Sequence, residues 1–297
     1  MADVRYLRRS AIDTARWDAA VRSDPRPLPY GLSWWLDAVT DGQWDGLVLD
    51  DYRAVLPLPR QRRYRLLPTY GRPPFTQQLG PFGVLQAGDI DLLLQHLPRR
   101  WPVSLPLRYA PDHIAAAPSL TCRRRVNYVL DLSLLYAEVT AGFPKKLRQY
   151  SRRWATDQLE ACTPKAVVTL YRNELGERAG LRDLHFRRLE KLMHEAVARN
   201  AGHCYQLRDG GNLLAAGFFP YLTGRTINLA AASTELGMRE RGMSRLLFQL
   251  FRQRAGHAGA VFDFEGSELP GVREYFAKFG GVDEGYYLVE RRLFGLL

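Results

Sequence analysis

The chain has 297 residues, of which 46% are hydrophobic and 25% charged, a globular balance that excludes wholesale disorder. Its apolar runs are short: the longest, Leu213 to Phe219, falls far below the roughly 20 residues of a membrane span. The net charge of +11 favours anionic partners such as nucleic acid, phosphorylated ligands or anionic lipid.

Of the 42 basic residues only five are lysine, so 37 are arginine. Codon composition accounts for such a skew, but not for the excess of bases over acids. The N-terminal MADVRYLRRS has no apolar core behind its charges, which argues against a secretory signal and predicts a cytoplasmic protein. Cys122, Cys162 and Cys204 are odd in number and widely spaced. They form no CxxC and no disulfide framework, in keeping with a reducing compartment. The six histidines show no HxxxH, so no zinc or other metal site is expected.

In chain order, helices are predicted over Ala11 to Val21 and Leu32 to Val39. Strands follow at Gly46 to Asp50 and Arg53 to Leu58. Pro68 to Gly83 carries too many glycines and prolines for regular structure and reads as a loop. A helix from Asp89 to Leu97 and a strand from Val103 to Tyr109 complete this half. Further on, Val126, Tyr128, Leu130 and Leu132 alternate as in a half-buried strand. Pro144 opens a helix whose apolar face is Phe143, Leu147, Tyr150 and Trp154. Lys165 to Tyr171, with Val167 and Val168, reads as a strand, and Leu181 to Ala196 as a long amphipathic helix. Cys204 to Arg208 and Leu213 to Phe219 are strands joined by an Asp-Gly-Gly-Asn turn, with a third strand at Thr226 to Ala232. A helix through Met243, Leu246, Leu247 and Leu250 stops at Gly256. A strand at Ala260 to Phe264, a helix ended by Gly280-Gly281, and a strand from Tyr286 to Arg292 close the chain. A meander followed by a strand–helix–strand crossover makes a mixed α/β sheet.

That order resembles the GNAT acyltransferase fold, especially the Fem-like branch with two such domains in tandem. Four segments carry the likeness: NYVLDLS (Asn127 to Ser133), KKLRQYSRRWA (Lys145 to Ala155), DGGNLLAAGFF (Asp209 to Phe219) and FDFEGSELPGVREYFAKFGG (Phe262 to Gly281). The resemblance implies a GNAT-like domain over residues 1–135 and a second, the acyltransferase domain, over 136–297. It implies transfer of an acyl group from acyl-CoA to a small-molecule amine. A second reading within the fold is an aminoacyl-tRNA-dependent transferase acting on a cell-wall precursor. A third is a non-catalytic protein that binds an anionic ligand or RNA.

In a GNAT-like domain the strands at Thr226 to Ala232 and Ala260 to Phe264 splay apart to hold the donor's arm. The tip of the following helix then faces its phosphates. Arg239, Gly242 and Ser244 loosely match the family's pyrophosphate pattern, which places Arg239, Arg241, Gly242, Met243 and Ser244 in the donor site. Asp263 and Glu265 share one side of a strand, and either would take the proton from an attacking amine. Otherwise Asp263 holds neighbouring backbone and Glu265 helps cap the next helix near Ser267 and Pro270. Ser233 and Thr234 are further candidates. Lys145, Arg148 and Arg152 share one helix face at i, i+3, i+7 and would meet an anionic substrate, with Tyr275 nearby. The tyrosine that protonates the leaving thiolate in many GNAT proteins is replaced here by Phe276. Tyr275, about 100° away round the helix, does not simply substitute for it.

Overall fold

The computed structural model describes residues 2–63, 67–112, 119–176, 180–266 and 270–291. The chain forms two compact units, Met1–Arg125 with Gly285–Leu297, and Val126–Glu284.

The first unit begins with β1 (Val4–Arg8), α1 (Thr14–Ser23) and α2 (Ser33–Thr40). Then come β2 (Trp44–Leu49), β3 (Ala54–Arg63), β4 (Leu67–Gly71), β5 (Phe82–Gly83), α3 (Asp89–Gln95), β6 (Val103–Leu107) and β7 (Leu120–Arg125). Asp13 starts α1 by accepting from the Ala15 and Arg16 amides. The segment expected to be all loop holds β4, which lies antiparallel to β3, and the short β5. The unit's aromatic content is structural. Trp17, Tyr30, Trp35, Trp44 and Tyr70 are fully buried, with the Trp17 and Trp44 rings 4.9 Å apart.

The second unit contains β8 (Tyr128–Asp131), α4 (Tyr136–Ala141), α5 (Lys145–Arg153), β9 (Glu160–Ala161), α6 (Pro164–Leu175), α7 (Asp183–Ala198), β10 (Gly202–Asp209) and β11 (Asn212–Leu222). After these come β12 (Arg225–Ile227), β13 (Ala230–Ser233), α8 (Glu235–Arg239), α9 (Gly242–Arg254), β14 (Val261–Glu265), α10 (Pro270–Lys278) and β15 (Val282–Asp283). The final strand, β16 (Tyr286–Arg291), leaves this unit. It inserts between β6 and β7 of the first, antiparallel to both. The divisions therefore fall at Arg125 and Glu284. The expected boundary at 135/136 would cut β8 off from its sheet and assign β16 to the wrong one. Arg292, the expected end of that strand, lies outside the described residues.

Among the described residues each sheet has eight strands. The first runs β1–β2–β3–β4–β6–β16–β7, with β5 beside β3. The second runs β15–β8–β14–β12–β11–β10–β9, with β13 beside β11. In the second unit adjacent residues of β11 show where the helices lie. Phe218 and Ala196 of α7 crowd the same side of Gly202. Phe219 instead joins the cluster of Phe248, Phe251, Phe262 and Phe279. Successive strand residues face opposite ways, so α6 and α7 cover one face and α9 and α10 the other.

In the second unit two expected elements differ from the sequence expectation. Lys165 to Tyr171 is helix, not strand. The Thr163 hydroxyl accepts from the Ala166 amide and Pro164 occupies the first helical turn, so a start signal overrides the β-propensity of Val167 and Val168. The strand expected over Thr226 to Ala232 is broken at Asn228-Leu229 into β12 and β13, and that break shapes the candidate site.

Candidate functional site

The break opens a fork. β12 runs parallel to β14, pairing Arg225 with Val261, Thr226 with Phe262 and Ile227 with Asp263. The Asn228 amide adds one further bond, 2.8 Å, to the Asp263 carbonyl. Beyond that point the strands part. β13 pairs with β11 alone, from Ala230↔Phe218 to Ser233↔Ala215, while β14 continues along β8 to Glu265↔Tyr128. Among the described residues no strand lies on the outer edge of β13.

Local chemistry holds β14 in its bent course. A bulge separates Asp263 from Glu265, and Glu265 takes a φ of 60°, a conformation that glutamate rarely adopts. The Asp263 carboxylate accepts the Glu265 amide at 2.8 Å and pairs with Arg225 at 2.6 Å. Arg225 also grips Glu284 at 2.7 Å. Asp263 is fully buried, so both charges depend on each other.

From β13 the chain turns through Thr234. Its hydroxyl accepts the Gly237 amide and donates to the Leu213 carbonyl, starting α8. Arg241 then adopts φ 56° and α9 begins. The tip of α9 borders a pocket of about 410 Å³, walled by Leu147 and Tyr150 of α5 and by Tyr275 and Phe279 at α10. Three cations line it, Lys146, Arg241 and Lys278, and none of them makes an ion pair with a described carboxylate. The Arg241 guanidinium lies 4.9 Å from the centre of the Tyr150 ring. The Ser244 and Tyr275 hydroxyls are 2.9 Å apart. Burial pushes Tyr275 up to about 12, against the downward pull of Ser244 and Arg241. A second groove of about 490 Å³ lies between α4 and α5, lined by Lys145, Arg148 and Arg152.

No family model and no curated protein matches the sequence. Solved structures do match in fold. FemX superposes with a TM-score of 0.67 over 96% of both chains at 12% identity. The C-terminal DUF2156 domain of a putative lysylphosphatidylglycerol synthetase from Agrobacterium fabrum gives 0.57 at 14% identity, over 95% of this chain and 92% of its own. A tandem GNAT protein from the clavulanic acid biosynthesis pathway gives 0.54 at 14% identity, covering 98% of both chains. The fold is the tandem GNAT fold.

Within the tandem GNAT fold, the expected donor residues separate into two groups. Arg241 and Ser244 reach the pocket, as does Tyr275, which was expected on the substrate side. Arg239 does not; it is exposed on α8 and lies 3.8 Å from Glu235. Gly242 is buried against the chain itself. A Cβ there would lie 2.8 Å from the Leu214 Cβ, so its small size serves the helix–strand contact. Met243 packs against the aromatic cluster. Lys145, Arg148 and Arg152 do share a face, but it is the groove with α4 and not the pocket. The pocket is reached instead by Lys146, Leu147 and Tyr150, on the other side of α5.

Of the acidic candidates, Asp263 is committed to Arg225 and to the Glu265 amide, the structural role weighed as its alternative. Glu265 is half-buried at the end of β14. Its charge reaches Tyr171 of α6, whose hydroxyl is raised by burial first and by Glu265 second. Ser267, near which Glu265 is expected to help cap the next helix, lies outside the described residues. Ser233 ends β13 half-buried, and Thr234 is a helix cap. Phe276 stacks on Phe264 at 4.9 Å inside the core, so no hydroxyl occupies the position where GNAT proteins place the thiolate acid.

Sequence reasoning missed Lys146, Tyr150, Lys278 and Tyr171. The stacked Tyr150-Trp154 pair at i, i+4 marked the apolar side of α5, and Lys146 at i−4 from Tyr150 flanked it. Nothing local marked Lys278 or Tyr171, which reach the site only through packing. No His/Cys/Asp/Glu group able to hold a metal occurs among the described residues. Nor is any described helix long and apolar enough to cross a membrane.

Proposed function

We propose that this protein is an N-acyltransferase that passes an acyl group from acyl-CoA to a small-molecule amine, with the donor held at the fork and the tip of α9. The fork carries the proposal. An extended donor arm needs main-chain partners, and the outer edge of β13 offers them. The cationic pocket beside it suits the arm's phosphates, since none of Arg241, Lys146 and Lys278 pairs with a described carboxylate. A thioester supplies the activated carbonyl. The protein's share is position, proton removal and charge.

Glu265 is the base in this reading. It stands where β14 turns away from β13, with Tyr171 of α6 within reach of its charge. Asp263 and Arg225 act as its support. The leaving thiolate receives no proton from residue 276. Tyr275, at about 12, surrenders its proton reluctantly and serves as a hydrogen-bond donor. Solvent or the acceptor completes that step.

A second reading takes the donor as an aminoacyl-tRNA, with a cell-wall precursor as acceptor. The observation in its favour is α5. None of its five bases, Lys145, Lys146, Arg148, Arg152 and Arg153, makes an ion pair with a described acid, and they flank the helix on both sides. A binding-only protein keeps the same surface and lacks turnover, as the loss of the thiolate acid at Phe276 would allow. Calorimetric titration separates the three. Micromolar binding of acetyl-CoA that Arg241→Glu weakens at least tenfold supports the acyl-CoA reading. No heat with CoA, together with steeply salt-dependent binding of charged tRNA, supports the second. Binding with no transfer to any amine leaves the third.

A further inference from the structure

Cys162 and Cys204 are far apart in sequence and face each other across the sheet. β9 pairs antiparallel with β10, Ala161 opposite Tyr205 and Glu160 opposite Gln206, so the next opposed pair is Cys162 and Cys204. The Cys162 amide donates to the Cys204 carbonyl at 3.0 Å, which extends the register to that pair. Directly opposed residues put their side chains on one face of the sheet. A hydrogen-bonded antiparallel pair has Cα atoms about 5.5 Å apart, inside the roughly 4.4–6.8 Å that a disulfide spans. Both are free thiols here. Cys122, the third cysteine, is on β7 of the other unit.

We propose that Cys162 and Cys204 form a redox modification site, a dithiol that closes to a cross-strand disulfide on reaction with a low-molecular-weight disulfide such as oxidised glutathione. The sequence offered no such pairing, because only the register brings the two together. This proposal is independent of the acyl-transfer reading.

The chemistry follows from burial. Cys162 is half-exposed at the sheet edge and Cys204 is buried. Burial pushes the first thiol up to about 11 and the second to about 12, so both are protonated at neutral pH. Cys162, more open and more acidic, reacts first. Its thiolate attacks one sulfur of the small disulfide and releases one small thiol, leaving a mixed disulfide. The Cys204 thiolate then attacks the Cys162 sulfur and releases the second. Two protein thiols and one small disulfide give one protein disulfide and two small thiols. The site is therefore slow at neutral pH, its rate rising roughly tenfold per pH unit with the thiolate fraction.

The neighbourhood can accommodate the bond. β9 is only two residues long and lies at the edge of the sheet, so a single neighbouring strand holds it as the pair closes. The loop so closed contains all of α6 and α7, the helices that cover one face of the second unit. Oxidation would tie that helical pair to the sheet and restrict the unfolded chain.

The test uses the full chain, purified reduced, then treated with oxidised glutathione from pH 7 to 9. Thiol counting after denaturation is expected to fall from three to one, with a peptide pair joining Cys162 to Cys204 two mass units below the reduced sum. Cys122→Ser is expected to leave closure intact, and Cys162→Ser to abolish it. The oxidised protein is expected to melt several degrees above the reduced one. Retention of all three thiols by the folded protein, a linkage that uses Cys122, or a lower melting temperature on closure would overturn the proposal. Cys162→Ser is the primary control because its side chain is half-exposed; Cys204→Ala is the second.

Discussion

At the residue scale the site turns on where its carboxylates and hydroxyls stand. Asp263 and Glu265 are two positions apart in sequence and play different parts, because one meets Arg225 inside the sheet and the other stands at its end. Glu265→Gln keeps the shape and removes the base. Turnover is expected to fall at least a hundredfold with donor affinity within twofold of wild type, by steady-state kinetics and calorimetry. Equal turnover would remove Glu265 from the mechanism. Tyr275 carries a pH signature. Its folded pKa is raised above the unfolded one, so the stability it adds is present below pH 10 and is lost as pH rises toward 12. Its ring is part-exposed, so the loss is up to about 2 kcal/mol. Denaturant titrations at pH 9 and 11.5 should show a smaller alkaline loss in Tyr275→Phe. Cys162 and Cys204 titrate in the same window in both proteins, so the difference isolates the tyrosine.

At the scale of elements, helix starts and close approaches do most of the positioning. Thr163 caps α6, which packs on β13, and Thr163→Ala is expected to cost about 1 kcal/mol in urea unfolding. Gly237 sits where α8 crosses β11. A Cβ there would fall 1.8 Å from the Leu214 carbonyl oxygen, a clash that only a backbone shift relieves. Gly237→Ala should therefore destabilise by about 1–3 kcal/mol and shift the tip of α9 with it. A measured change below 0.5 kcal/mol would mean that α8 is free to move. Gly242, 2.8 Å from the Leu214 side chain by the same measure, has softer surroundings, and Gly242→Ala is expected to cost less than Gly237→Ala.

For the whole molecule the informative feature is the charge set of buried Arg225 and Asp263 with half-buried Glu284. Arg225 and Asp263 are almost wholly shielded from solvent, and Glu284 is the last residue before the chain leaves for the other unit. Arg225→Met would strand a buried carboxylate at the point where β14 bends, a loss of about 3–5 kcal/mol. Asp263→Asn with Arg225→Met together should recover part of it, and a double-mutant cycle measures the coupling. Independent, additive losses would show that the pair does not hold the bend.

Much of the second unit could be read along the chain. The alternation in β8, the Asp-Gly-Gly-Asn turn, the period of α9 and the Gly-Gly stop after α10 are local signals, and local sterics and burial act on them directly. The Thr-Pro start of α6 was also in the sequence, outweighed by two valines whose preference is context-dependent. Three features were decided only in three dimensions. β16 joins a sheet more than a hundred residues from its neighbours in sequence, since strand pairing is satisfied by any edge of matching register. The two sides of α5 divide its bases between a groove and a pocket, because α4 covers one flank while α9 and α10 meet the other. And the fork exists because a buried aspartate, already bonded to an arginine, also holds the Glu265 amide in a bend that no local propensity favours. Composition and periodicity determined most of the helices and strands of the second unit. Packing determined which polar groups are used up in holding the fold and which are left to meet a ligand.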